Sequence, residues 1–308
     1  MNDFHKSVLL REVLEGLRVK ENEKYIDATL GGGGHSLEIL KKGGKVLGID
    51  CDSEAIEFVS GRWKIETKKL SIAEENLILV RGNFRDIDKI AHLNNFDLVS
   101  GIIFDLGVSS HQIDEPTRGF SFQNEGPLDM RMDQELGVKA LDLIRILTKG
   151  ELCEIFTKFG EESRAWEISD AIVRTRSIRP IETTSDLVRV ITEALKVKRL
   201  NSDFSKADLS KKVFQGLRII VNDELNALEE ALPKAVKLLK QGGRIGVISF
   251  HSLEDRIVKR SFIEFEKKGL GKIITKKPIT PSSEELKMNK RVRSAKLRIF
   301  ETRSASPG

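Results

Sequence analysis

The chain has 308 residues, room for one large or two ordinary domains. It is 39% hydrophobic and 32% charged, with no apolar run as long as a membrane span; a folded core is expected and a disordered or membrane-spanning chain is excluded. The net charge of +5 is mild, the N-terminus lacks a signal pattern, and Cys51 and Cys153 stand far apart, so a cytoplasmic enzyme without disulfide framework or metal site is the expectation.

Ser7 to Leu17 reads as an amphipathic helix capped by Ser7. A short strand ends in Asp27, and the run Gly31-Gly32-Gly33-Gly34 leads into a helix from Ser36 to Lys42. A second strand, from Lys45, ends in Asp50, and Ser53 caps a helix to about Trp63. Asn76 to Val80 is a third strand leaving at Phe84, followed by a helix from Asp86 to Leu93. Phe96 to Asp105 is a long apolar strand. Strands alternating with helices predict right-handed βαβ units and a parallel sheet. Ligands of such sheets sit at the carboxyl ends of the strands, where Asp27, Asp50, Phe84 and Asp105 converge.

The rhythm then breaks. Gln112 to Met132 is a long polar loop with its own aromatic and methionine residues, which argues for function over disorder. Helical patterns follow at Leu141 to Leu147, Glu151 to Phe159, Arg164 to Thr175 and Ser185 to Leu195. The α/β rhythm returns at Val213. Phe214 to Leu239 reads as one helix bent at Pro233 and ended by Gly242-Gly243. Arg244 to Phe250 is a strand, Ser252 to Lys268 a helix, Lys272 to Lys276 a strand, Pro281 to Met288 a short helix, and Ala295 to Arg303 a last strand. The domains are therefore 1–112 with 213–308, and an inserted loop and helical domain at 113–212.

Strand, glycine turn, helix, strand and acid together read as a site for a nucleoside-containing cofactor. Glycines admit close backbone approach, the helix N-terminus offers free N–H groups, and Asp50 can accept from both ribose hydroxyls. The dinucleotide pattern G-x-G-x-x-G fails at Ser36 and Leu37, and no second glycine turn appears. The better match is the loop of S-adenosylmethionine methyltransferases, in which Asp27 can face the cofactor's amino end.

Methylation of a pyrimidine carbon needs a facing cysteine, and neither cysteine is so placed; transfer to nitrogen or oxygen is favoured. Asp105 can accept the departing proton, hold the cofactor or cap a turn. Ser249 and His251 lie past the fifth predicted strand, on the same rim. His251 can act as a general base or bond to backbone, and Asp255 with Arg256 can form a helix-surface ion pair.

Three groups of motifs carry a resemblance. His5 to Leu10, Asp27 to Ser36 and Asp105 to Ser110 form the first; Arg118 to Phe122 and Pro127 to Asp133 the second; Val221 to Leu225, Ile248 to Arg256 and Arg293 to Arg298 the third. Over nearly its whole length the chain resembles the ribosomal small-subunit RNA (cytosine-N4-)-methyltransferase family, also called RsmH or MraW. The resemblance implies a Rossmann-like class I S-adenosylmethionine methyltransferase sheet with an inserted all-helical domain. It implies methyl transfer to N4 of a decoding-centre cytidine, cytidine 1402 in standard numbering, of 16S rRNA within the small ribosomal subunit. Cofactor contacts carry over to Gly33, Gly34, His35, Asp50, Phe84, Asp105 and Gln112. Asp105, Ser249 and His251 are the catalytic candidates, and Arg118, Phe120, Asn222, Asp255 and Arg256 the substrate contacts. Oligomeric state is left open, a homodimer included.

Two departures stand out: His111 where such sequences commonly have proline, and Asp208 to Lys212 in place of a His-Pro-Ala-Thr-type run. RNA would be held by basic stretches: Arg174 to Arg218 carries eleven Lys/Arg against five Asp/Glu, and Lys287 to Arg303 seven against one. Phe120, Phe122 and Phe250 are the aromatic candidates to receive an unstacked base. A DNA amino-methyltransferase is the first rival, but Asp105-Leu106-Gly107-Val108 lacks its Asn/Asp-Pro-Pro-aromatic motif. A non-catalytic RNA-binding protein, the second, predicts a decayed cofactor loop.

Overall fold

A computed structural model describes residues 7–70, 72–195 and 206–303. His5 and Lys6 of the first motif and residues 196–205 of the basic insert lie outside the described residues. The chain divides into two compact units, 1–107 with 225–308, and 108–224.

The first unit is built on a seven-stranded sheet. Its strands are β1 (Lys24–Asp27), β2 (Lys45–Asp50), β3 (Leu77–Arg81), β4 (Val99–Asp105), β5 (Leu239–Ser249), β6 (Gly271–Ile273) and β7 (Lys296–Thr302). Their order is β3-β2-β1-β4-β5-β7-β6. The pairs from β3 to β5 are parallel, and β7 runs antiparallel to both β5 and β6. This is the expected Rossmann-like α/β sheet, with the expected terminal pair.

Both faces are covered, as a parallel sheet requires. Ile26, Leu47, Ile102 and Val247 point to one face, packing with α4 (Ile87–Leu93), α11 (Glu224–Leu238) and α12 (Ser252–Lys267). Their strand neighbours turn the other way. Tyr25 and Val46 meet α2 (Gly34–Lys41) and α3 (Ser53–Leu70), while Ile103 and Ile248 meet α1 (Leu10–Leu17). Register places Asp27 beside Gly48 and Ile103, so three strands end in acids at the same rim.

Several boundaries depart from the sequence reading. The α1 N-cap is Leu9, in the left-handed region at φ 52, in place of Ser7; its N–H is taken by Glu285 Oε1 at 2.8 Å. β4 starts at Val99 and not Phe96, because Asn95 and Leu98 adopt positive φ. The helix expected from Phe214 to Leu239 is two helices, α10 (Lys206–Asn222) and α11, separated at Asp223 (φ 51); α11 runs on through Pro233. Gly242-Gly243 lies inside β5, near a register shift against β4 between Val99 and Gly101, and does not end a helix.

The second unit is helical. After α5 (Ser110–Asp114) come α6 (Ala140–Ile146), α7 (Lys149–Lys158), α8 (Ala165–Arg176) and α9 (Thr184–Ala194), with α10 packed among them. Phe156, Ile168, Ile172, Leu187, Ile191, Phe214 and Leu217 form its core. That burial places α10 with the helices, so the unit extends to Glu224 where the sequence placed the boundary at 212.

Candidate functional site

The glycine run turns between β1 and α2. Gly33 is the α2 N-cap at φ 71, and a Cβ there would meet Val59 Cγ2 at 2.9 Å. Both conditions require glycine. Gly34 opens the helix. Asp50 ties the turn down from β2: Oδ2 accepts from Gly31 N at 2.7 Å and Oδ1 from Asp52 N at 2.9 Å. Burial pushes its carboxyl up to about 6. Each oxygen keeps a second lone pair, so both can still accept from a ligand hydroxyl.

Asp27 is 1% exposed, and its oxygens accept from Ser36 Oγ at 2.7 Å and Thr29 N at 3.3 Å. Burial raises its carboxyl above the usual range, against the opposing pull of His35 and Ser36. It is enclosed and does not present an open carboxylate to an amino group. The acid at the lip is Asp105, at the end of β4. Its backbone N–H donates to Thr29 Oγ1 at 2.6 Å, and its side chain is 18% exposed. Its Oδ2 lies 3.4 Å from His35 Nε2. Asp105 Oδ1 and both His35 ring nitrogens are buried with no hydrogen-bond partner among the described residues. Burial works against a charge on His35, but Asp105, then Asp27 and Glu285, raise its imidazole above the ordinary value. Phe84 follows β3, edge-on to Phe104 at 5.6 Å between centroids.

Gly33, Gly34, His35, Asp50, Phe84 and Asp105 thus all belong to the first unit, on the carboxyl rim of its sheet. Gln112 belongs to the second, where it closes a capping box: its side-chain Oε1 accepts from Ser109 N at 3.0 Å and its backbone N–H donates to Ser109 Oγ at 3.2 Å.

Ser249 is buried and its hydroxyl donates to Lys296 O at 3.4 Å. His251 caps α12, with Nδ1 accepting from Glu254 N and Nε2 lying 3.1 Å from Glu254 Oε1. Glu254 Oε2 in turn accepts from Phe250 N and His251 N. Asp255 is held by Arg298, through Nε at 2.6 Å and Nη2 at 3.2 Å, and by Lys296 at 3.4 Å. The ion pair with Arg298 joins α12 to β7; the neighbouring Arg256 is exposed.

Arg118, Phe120 and Asn222 organise the long loop of the second unit. Arg118 is 2% exposed and donates to the carbonyls of Arg131 and Met132. Asn222 donates to Met130 O and Arg218 O and accepts from Met132 N at 2.7 Å. These bonds hold Met130 at φ 62 in the buried core. Phe120 is in the same core, and Phe122 packs edge-on to Phe214. Phe250 is half-buried against the α1 cluster.

The sequence reading missed Ser36, Glu254, Glu285 and Arg298. Glu254 had a signal: three residues after a helix-starting His251, it is where a capping-box Glu belongs. Glu285 and Arg298 had none, because their partners lie far along the chain. Among the described residues no cluster of His, Cys, Asp or Glu could hold a metal ion, and no helix is long and apolar enough to cross a membrane.

The model of the MraW methylase family matches residues 2–303. A Carboxydothermus hydrogenoformans protein named ribosomal RNA small subunit methyltransferase H is 44% identical over 317 positions, covering 98% of each chain. A protein of the same name from Clostridium botulinum (strain Loch Maree / Type A3) is 45% identical over 313 positions, covering 96% of this chain and 97% of its own. A solved rRNA methylase from Streptococcus thermophilus aligns over 97% of this chain and 98% of its own with a TM-score of 0.45 and 12% identity.

Proposed function

The chain belongs to the MraW methylase family, and from that premise we propose that it methylates small-subunit rRNA, using S-adenosylmethionine, at N4 of cytidine 1402 in standard 16S numbering. The observation that carries this reading is the near-complete alignment, at 44–45% identity, with relatives named for small-subunit rRNA methylation.

The geometry supports a methyl donor with a nucleoside and a positive charge. Asp50, anchored by Gly31 and Asp52, suits the ribose hydroxyls. The glycine turn lets the backbone come close. Asp105 Oδ1 and the His35 nitrogens are buried polar atoms with no hydrogen-bond partner among the described residues, a cost that a polar or charged ligand would relieve. Bound S-adenosylmethionine supplies a methyl group activated on a sulfonium. An attacking cytidine amine would take that methyl as the sulfonium leaves as a thioether, and N4 would have one proton to shed. Of the three catalytic candidates, we assign the role of receiving it to Asp105, the acid at the carboxyl end of β4 beside the glycine turn. Ser249 donates to Lys296 O, and His251 caps α12 through Nδ1, while its Nε2, 3.1 Å from Glu254 Oε1, has no hydrogen-bond partner among the described residues. This chain's contribution is position, desolvation and a carboxylate.

The reading is tested by incubating the protein with methyl-labelled cofactor and, separately, small subunits, naked 16S rRNA and DNA. Label in subunits or rRNA is expected; label in DNA alone would overturn the reading. Asp105→Asn is expected to lower kcat at least about 100-fold, as for loss of a general base, with a smaller change in cofactor affinity.

A further inference from the structure

His35 is the least explained buried group in the first unit. Its side chain is closed off at 4% residual exposure, yet neither ring nitrogen has a hydrogen-bond partner among the described residues. It is surrounded by acids from three elements. Asp105 on β4 is 3.4 Å from Nε2, Asp27 on β1 lies on the same rim, and Glu285 on α13 (Ser283–Met288) adds its charge. Glu285 is fixed there because its Oε1 accepts from Leu9 N. Asp27 already accepts from Ser36 and Thr29, and the carboxylate paired with the imidazole is that of Asp105, 3.4 Å from Nε2.

A neutral imidazole beside three carboxylates would leave buried negative charge uncompensated, which is costly. A cation that reaches Asp105 from the lip removes that need and repels a charged imidazole. Taking the cofactor of the proposed function as that cation, we infer that His35 exchanges a proton for the cofactor. Its imidazolium neutralises Asp105 in the free protein, and binding of S-adenosylmethionine, with its sulfonium and ammonium, sends that proton to solvent. The balance is simple: protonated His35 and the cofactor cation give neutral His35, the complex and one free proton. His35 is then a positioning residue, which keeps Asp105 in place and compensated until the cofactor arrives.

The test is titration calorimetry of the full-length protein with S-adenosylmethionine at pH 7.5, in phosphate and in Tris, whose ionisation enthalpies differ. Asp50, pushed up to about 6, is already ionised at that pH and contributes little. Net release of a proton is expected, and affinity should weaken as the pH is lowered through the His35 titration. His35→Gln should abolish the release. If that variant does not fold, the ring nitrogen resonances of His35 in the wild type decide: protonated when free, neutral when bound. Binding with no proton exchanged, with proton uptake, or with the same release in His35→Gln overturns this inference alone. Failure of the cofactor to bind at all overturns it together with the proposed function.

Discussion

At the scale of single residues, the rim of the sheet assigns its acids different tasks. Asp27 is sealed, Asp50 ties down the glycine turn, and Asp105 keeps an oxygen with no hydrogen-bond partner among the described residues. Asp50→Ala should weaken S-adenosylmethionine binding at least about 10-fold, the scale of one lost hydrogen bond to a charged group; calorimetry that finds unchanged affinity would place the ribose elsewhere. Asp255 makes a different prediction. Burial opposes its charge, but Arg298 and Lys296 hold its carboxyl below the usual range. A lowered folded pKa gives stability that is present above the unfolded value and lost as pH falls through the folded one. Asp255→Asn should therefore cost about 2–4 kcal/mol at pH 7, as for a broken, largely buried pair. The gap to wild type in denaturant melts should close as pH drops below about 4.

At the scale of elements, the loop from Pro116 to Asp133 is held by two of the candidate substrate contacts, a structural role that the sequence alone does not announce. Arg118 and Asn222 are candidate substrate contacts by their place in the motifs that carry the family resemblance. Their hydrogen bonds to the backbone of Met130, Arg131 and Met132 join segments 13 to 92 residues apart, and no local pattern announces such pairs. Asn222→Ala should destabilise the helical unit by about 2–3 kcal/mol, because buried partners are left unsatisfied; an unchanged urea midpoint would contradict that role. Gly119→Ala should be worse: at φ 70 its Cβ would stand 2.0 Å from Pro127 O. The strands and acids were legible because they rest on local alternation and on strand ends. The break at Asp223 was not. The apolar pattern runs on through Phe214 to Leu239, and Pro233 was the visible breaker, but an acid in a left-handed conformation made the break. His251 was seen as a rim histidine, and only the position of Glu254 turns it into a cap.

At the scale of the whole molecule, each unit has its own core, a two-faced sheet in one and a helical cluster in the other. The basic C-terminal stretch is divided in use. Lys296 and Arg298 are spent on Asp255, while Lys287, Arg291 and Arg293 are exposed. Replacing those three by alanine should reduce the salt dependence of rRNA binding by about two in slope, with cofactor affinity unchanged. An unchanged slope would move the RNA-binding surface elsewhere. The central claim, methyl transfer to one cytidine nitrogen of small-subunit rRNA, is tested most directly by mass spectrometry of rRNA after reaction of the protein with unmethylated small subunits and S-adenosylmethionine. N4-methylcytidine at position 1402 is the expected product; 5-methylcytidine, or subunits returned without a new methyl group, would contradict it.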